Sequence, residues 1–279
     1  MTTDRRYIMS TCFAVASGKG GVGKSVITAN LAAALALSGT RVLIIDADIG
    51  LRSQDALLAL ENRVVYDLID VSKNECSADQ AILSCESIPS LHLLPAAQFD
   101  RAKSLEPKKL AGIVRDLRTS YDYIFIDCPA GVERGLRNVL NAGVDEMILI
   151  ATPDDISIRS AERTAQLIES KKAPRPYLIV NRLDSQMISD SEMLSARTVS
   201  QILDLPLLGA IPEDCTVYRS LLKHDLFIRY DCEARNAILR ITSRIQGRNL
   251  PIAEYGVKRN LFQRLFSRSL KEVTPIDDH

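Results

Sequence analysis

Short apolar runs recur along the chain: CFAVA (12–16), RVLIID (41–46), LHLLP (91–95), YIFID (123–127), MILIAT (147–152), YLIVN (177–181) and LLGAIP (207–212). They are continuous rather than alternating, the pattern of strands covered on both faces. Between most of them lie stretches with a 3.6-residue period, and four are read as helices: 25–37, 107–119, 156–171 and 190–203. Strand–helix alternation predicts right-handed crossovers and an α/β fold, a doubly wound, mainly parallel sheet flanked by helices. No internal repeat or low-complexity linker interrupts it. The globular part is expected to end near RITSRIQGRNLPI (240–252), giving a body over 1–250 and a tail over 251–279.

Composition adds constraints. Of 279 residues, 46% are apolar and only 5% aromatic, so aliphatic side chains dominate a large core. The 35 basic residues balance 35 acidic ones, which argues against a chain-wide electrostatic grip on nucleic acid. Six cysteines (Cys12, Cys76, Cys85, Cys128, Cys215 and Cys232) include no C-x-x-C pair and are read as reduced, mostly structural thiols of a cytosolic protein. A strand-like run follows the first ten residues so closely that no leader peptide is expected. No apolar stretch approaches the ~20 residues of a membrane span.

The chemistry concentrates in GKGGVGKS, Gly18 to Ser25, between a strand and a helix. It fits G-x-x-x-x-G-K-[ST], a loop that cradles phosphates with backbone N–H groups at a helix N-terminus. Lys24 supplies charge for the β- and γ-phosphates, and Ser25 a hydroxyl for Mg²⁺. Further candidates sit where a doubly wound sheet puts its ligands, just past strand ends: Asp46 and Asp48 in RVLIIDAD, Asp127 in YIFID, Asn181 and Arg182 in YLIVNR. Aspartates after strands are also helix caps and turn formers. Asp127 suits an acid that holds the water shell of Mg²⁺, with Asp46 a further candidate, and Asp48 suits orientation of an attacking water. Gly131 would bring a backbone N–H near the γ-phosphate.

Lys19 is a second lysine in the same loop. It either raises the local positive potential or reaches the nucleotide of a facing subunit, as an arginine finger does. Spacing alone does not decide between these. KGGVGKS, however, resembles the deviant Walker A box of a large ATPase family that includes septum-site MinD proteins, ParA partition proteins, nitrogenase iron protein and iron–sulfur scaffold ATPases. The resemblance implies a P-loop NTPase fold that binds ATP and Mg²⁺ in a sandwich homodimer. In such a dimer Lys19 contacts phosphate across the interface, and Gly18, Gly20, Gly21, Val22, Gly23, Lys24 and Ser25 hold the nucleotide.

IDADIGLRSQDALLALENRVVYDLIDV (45–71), LHLLPAAQ (91–98), DYIFIDCPAGVERG (122–135), VNRLDSQMI (180–188) and LLGAIPEDCTVYRS (207–220) are most similar to the MinD branch. By that resemblance Asp48 is the catalytic switch I aspartate, Asp127 the Walker B aspartate and Asn181 an adenine contact. RSQD (52–55) stands where RNLD is commoner, so Gln54 adds polarity beside the switch. SLLKHDLFI (220–228) lacks a usual Gly-Pro pair. Both departures are expected to bear on partner contacts. Closely placed cysteines for an iron–sulfur cluster are missing.

The tail GVKRNLFQRLFSRSLK (256–271), read as a helix, puts Leu261, Phe262, Leu265 and Phe266 on one face and Lys258, Arg259 and Arg264 around the other or at its edges. Such a basic amphipathic helix reads as a membrane-surface anchor for anionic lipids, against the alternative of a terminal helix packed on the body. The expected function is an ATP hydrolase that cycles on the cytoplasmic face of the inner membrane and places the division septum. Its implied partners are a MinC-type inhibitor and, where present, a MinE-type activator, with no specific nucleic acid. The alternatives are a flagellar-placement ATPase of similar build and a ParA-like DNA partition ATPase.

Overall fold

The computed structural model describes residues 10–98, 105–131 and 134–256. Its sheet comprises β1 (Thr11–Ser17), β2 (Val42–Asp46), β3 (Leu83–Ser84), β4 (Leu91–Leu94), β5 (Tyr123–Asp127), β6 (Glu146–Ala151), β7 (Tyr177–Leu183) and β8 (Leu207–Pro212). Their order is β3-β4-β2-β5-β1-β6-β7-β8. The pairings are parallel, save that β3 runs antiparallel to β4. The two-residue β3 left no periodicity to read, because so short a strand is defined by its partner.

The helices are α1 (Lys24–Leu37), α2 (Ser53–Leu57), α3 (Leu68–Ser72), α4 (Ala78–Ala81), α5 (Pro107–Leu117), α6 (Arg134–Leu140), α7 (Asp155–Ser170), α8 (Ser185–Ser189), α9 (Ala196–Leu203), α10 (Cys215–Leu222) and α11 (Glu233–Ile245). The expected doubly wound α/β fold is present, and the continuous apolar strands have the expected cause. Along β1, Cys12, Ala14 and Ala16 enter one core while Phe13 and Val15 enter the other. Along β5, Ile124 and Ile126 face the first and Phe125 the second. The first core takes Leu110 and Val114 of α5, Ile158 and Ile168 of α7 and Val199 of α9. The second takes Ile27, Leu31 and Leu35 of α1 with Ile238 and Ile241 of α11. All six cysteines are free thiols, as expected.

The helix expected over 190–203 is not continuous. Ser191 has φ +61, and the Ser195 side chain caps the helix by accepting from the Thr198 N–H, so helix begins only at Ala196 and residues 190–195 form the turn that follows α8. The apolar period ran through a turn that two short helices share. Residues 251–256, expected as spacer, lie on the body. Arg244 donates to the carbonyls of Leu250 and Pro251 at 2.9 and 2.6 Å, and Ser189 Oγ donates to the Gly256 carbonyl at 2.8 Å. Ile252 and Tyr255 pack against the first core. No helix among the described residues is long and apolar enough to cross a membrane. The tail positions Lys258, Arg259, Leu261, Phe262, Arg264, Leu265 and Phe266 lie outside the described residues.

Strand order places the site. β1 sits mid-sheet, β1→α1→β2 passes to one side of it over β5, and β6 lies on its other side. That reversal opens a crevice at the carboxyl ends of the strands, where α/β sheets bind ligands.

Candidate nucleotide site

Ser17, Asp46, Asp127 and Asn181 all lie at or near the carboxyl ends of their strands, in β1, β2, β5 and β7. The loop from Gly18 to Gly23 joins β1 to α1. Gly21 and Gly23 have φ of +82 and +94, a region that costs an L side chain strain, and Gly23 is the N-cap of α1. Gly18 is required for a different reason. A Cβ there would lie 2.2 Å from the backbone of Ser160, so the loop is seated directly on α7.

Lys24 and Lys19 have opposite surroundings. Lys24 is 6% exposed, with Nζ 2.6 Å from Asp127 Oδ1, 3.7 Å from Asp48 Oδ2 and 3.2 Å from Ser25 Oγ. Burial works against its charge, but the Asp127 and Asp48 carboxylates outweigh burial and hold its pKa above the ordinary lysine value. Lys19 is exposed. It lines a shallow cavity of about 260 Å³ with Gly20, Thr152, Asp154 and Arg182. Burial acts to raise the Asp154 pKa, yet the Thr152 hydroxyl, the Ser157 N–H and the charge of Lys19 together hold it below the usual value.

The parallel register of β2 and β5 pairs Asp46 with Asp127, so two carboxylates stand side by side with no exposure. Asp46 Oδ1 accepts from the Asp48 N–H at 3.0 Å and Oδ2 from the Gln54 N–H at 3.1 Å. Burial first, and then the neighbouring Asp127 charge, push its pKa well above the carboxylate range despite those two donors. Both Asp46 oxygens are thus engaged in holding the 48–54 segment against the sheet. Asp48 also lies above its ordinary pKa, through burial and the charge of Asp127 and in spite of Lys24.

Asn181 Nδ2 donates to the Val22 carbonyl at 2.9 Å and ties β7 to the phosphate loop. With Gly23, Arg182, Pro212, Asp214 and Tyr218 it lines a cavity of about 130 Å³ beside the loop. Arg182 takes a left-handed φ of +59 at that rim. The Gly131 N–H, expected near the γ-phosphate, donates to the Ser17 carbonyl at 2.8 Å and ties the 128–131 segment to the end of β1.

The two departures expected to touch partners lie partly inside the body. Gln54 has no exposure, and Leu226, Phe227 and Ile228 are buried, with the Ile228 N–H donating to Asn30 Oδ1 at 2.9 Å. A short amphipathic segment does not disclose which face turns inward, so sequence alone gave no signal for Gln54. Other aspartates past strand ends are the helix caps that such positions often hold: Asp154 caps α7, Asp184 caps α8 and Asp214 caps α10. Asp48 and Asp127 instead reach Lys24, and Asp46 holds the Gln54 N–H in the first turn of α2 while standing beside Asp127.

The donor set fits a magnesium nucleotide. Asp127 and Asp48 share the space around one buried lysine and a serine hydroxyl, with Asp46 beside Asp127, an acid-rich setting that a cation would offset. A Cβ at Gly20 or Gly21 would meet nothing within 4 Å, which leaves the loop open for phosphate. Among the described residues no three His, Cys, Asp or Glu side chains group to hold a metal. A magnesium ion would therefore come with phosphate and water ligands, as that ion usually does.

The ParA family model, described as NUBPL iron-transfer P-loop NTPase, matches residues 9–246. The septum site-determining protein MinD of Helicobacter pylori is 40% identical over 265 residues, covering 92% of this chain and 98% of that protein. The solved MinC:MinD cell division complex of Aquifex aeolicus superposes with a TM-score of 0.82 at 35% identity, over 88% of this chain and 100% of that one. MinD of Pyrococcus horikoshii, solved with Mg-ADP, gives 0.75 at 26% identity over 85% and 96%. With a phosphate loop, paired strand-end acids and likeness over nearly its full described length, the chain belongs to the septum site-determining MinD family of P-loop ATPases.

Proposed function

We propose that the chain works as an ATP-switched homodimer that cycles on and off the cytoplasmic face of the cell membrane and there carries a MinC-type division inhibitor. The observation that carries this reading is the split between two lysines of one loop: Lys24 is buried against Asp127, and Lys19 is exposed at the rim. An exposed cation on a phosphate loop is placed to serve a second copy's nucleotide, in the manner of an arginine finger. Asp154 beside it gives Lys19 an anionic neighbour within its own chain until that nucleotide arrives.

Within one subunit, backbone N–H groups of residues 18–23 and the positive end of α1 hold the phosphates. Lys24 exchanges carboxylate oxygens for the β- and γ-phosphates. Ser25, and Asp127 through water, would hold magnesium, which would neutralise charge on the phosphoryl group. Asp48 orients the attacking water, and Asn181 with Arg182 borders the base. Residues 257–270, whose sequence suits a basic amphipathic helix, are the part that meets anionic lipid. Each basic residue near such a leaflet is worth ~1 kcal/mol. Two tails on one dimer gain effective concentration, so binding strengthens by ~10²–10⁴. A MinE-type activator would act on this membrane-bound dimer.

The test is co-sedimentation with anionic liposomes under ATP, ADP or no nucleotide, beside a non-specific DNA control. Sedimentation with ATP alone is expected. Lys19→Ala should bind nucleotide yet fail to dimerise or sediment, and Phe262→Glu should dimerise yet fail to sediment. Nucleotide-independent sedimentation refutes the switch, and salt-sensitive DNA binding in place of lipid binding moves the chain to the partition branch.

A further inference from the structure

Gln54 is a buried polar side chain for which the roles given above leave no task. Its Nε2 donates to Asp127 Oδ2 at 2.7 Å and to the Ser25 carbonyl at 3.1 Å, joining β5 to the phosphate loop. Its own N–H donates to Asp46. The amide orientation is fixed by chemistry: turned over, Oε1 would face two acceptors and Nε2 would face neither. Asp127 Oδ1 accepts from Lys24 at 2.6 Å and more weakly from the Thr28 hydroxyl at 3.4 Å, while Gln54 is the donor to Oδ2. The Gln54 Oε1 is buried with no hydrogen-bond partner among the described residues. An amide oxygen left so is costly and marks a place for another donor.

We propose that Gln54 is a positioning residue of the nucleotide site: its amide N–H₂ clamps the Asp127 carboxylate to the phosphate loop, and its Oε1 accepts a hydrogen bond from a water of the magnesium shell. The need arises when Lys24 turns to a phosphate. Asp127 Oδ1 then loses its cation, and the bond from Gln54 to Oδ2 keeps the carboxylate aimed. Because the same N–H₂ group holds the Ser25 carbonyl, it fixes the acid and the hydroxyl assigned to magnesium relative to each other. This rests on the ATPase reading of the site.

The experiment measures affinity of the full chain for a fluorescent ATP analogue across a magnesium titration and in EDTA. Gln54→Met keeps length and approximate volume but neither polar atom. Its magnesium requirement should rise about 10- to 100-fold, the usual loss when the partner of a metal-site ligand is removed. Its affinity in EDTA should change less than about threefold, since phosphate contacts from the loop backbone remain. Gln54→Glu keeps the acceptor and sets an oxygen against Asp127, so it should also raise the requirement, and it carries the test if Gln54→Met fails to fold. An unchanged magnesium dependence in a folded variant overturns the proposal, as does failure of both variants to fold, which would make Gln54 a folding element. A wild-type chain that binds no nucleotide refutes the ATPase reading instead.

Discussion

Gly18→Ala and Gly20→Ala change two glycines of one phosphate loop, the first at a fixed position of G-x-x-x-x-G-K-[ST] and the second at a variable one, and the structure gives them opposite outcomes. At Gly18 the added methyl lies 2.2 Å from both the carbonyl carbon and oxygen of Ser160 and 2.6 Å from the Ala161 nitrogen, where ordinary contact begins at 3.4 Å. The obstacle is backbone of α7, which cannot rotate aside. That helix is pinned by its Asp154 cap and by Ile158, Ala161 and Ile168 in the core. Loop and helix must separate by roughly 1 Å, and overpacking of that kind costs about 1–3 kcal/mol. For a chain of this size each kcal/mol lowers the melting temperature by ~2–4 °C, so a fall on the order of 2–12 °C is expected. A shift of ~1 Å in the loop should also lower ATP turnover by ~10²-fold. At Gly20 nothing lies within 4 Å and φ is not positive, so the nucleotide-free melting temperature should stay within about 1 °C of wild type. Thermal melting by circular dichroism without nucleotide, followed by a phosphate-release assay, measures both. Equal melting temperatures for the two variants would refute the seating of the loop on α7.

Lys24→Ala leaves Asp127 buried without its cation, so the nucleotide-free chain should lose about 3–5 kcal/mol in urea unfolding and bind nucleotide too weakly to measure. Retained nucleotide affinity would contradict the phosphate-loop assignment. Asp48→Ala should keep ATP binding while hydrolysis slows by ~10²-fold or more, measured by single-turnover phosphate release, and a wild-type rate would place water orientation elsewhere. The His92 imidazole is held below its ordinary pKa, first by burial and then by the charge of Arg41, so the unfolded chain binds the extra proton more readily. Stability should therefore fall as pH drops through the unfolded-state value of ~6.5 and level off below the folded one. In His92→Gln the slope of melting temperature between about pH 7.5 and 5.5 should flatten, and an unchanged slope would assign it to other groups.

Features that depend on neighbours within a few residues were legible in the sequence. Continuous apolar runs gave the strands and their two-sided burial, glycines before a lysine and serine gave the phosphate loop, and the 3.6 period gave α1, α5 and α7 to within two residues. It named Lys24, Asp127 and Asp48 as partners in one site but not their pairing, because Lys24 and Asp127 stand 103 residues apart and meet only through the strand order. The packed sheet is what sets Asp46 in register against Asp127 and puts Gln54 beneath the loop rather than on the surface. Local pattern reports what a residue can do with its own backbone. Whether a carboxylate is a cap, a buried acid or a ligand is set by which distant groups the sheet brings to within about 3 Å, the range where hydrogen bonds and charge pairs act.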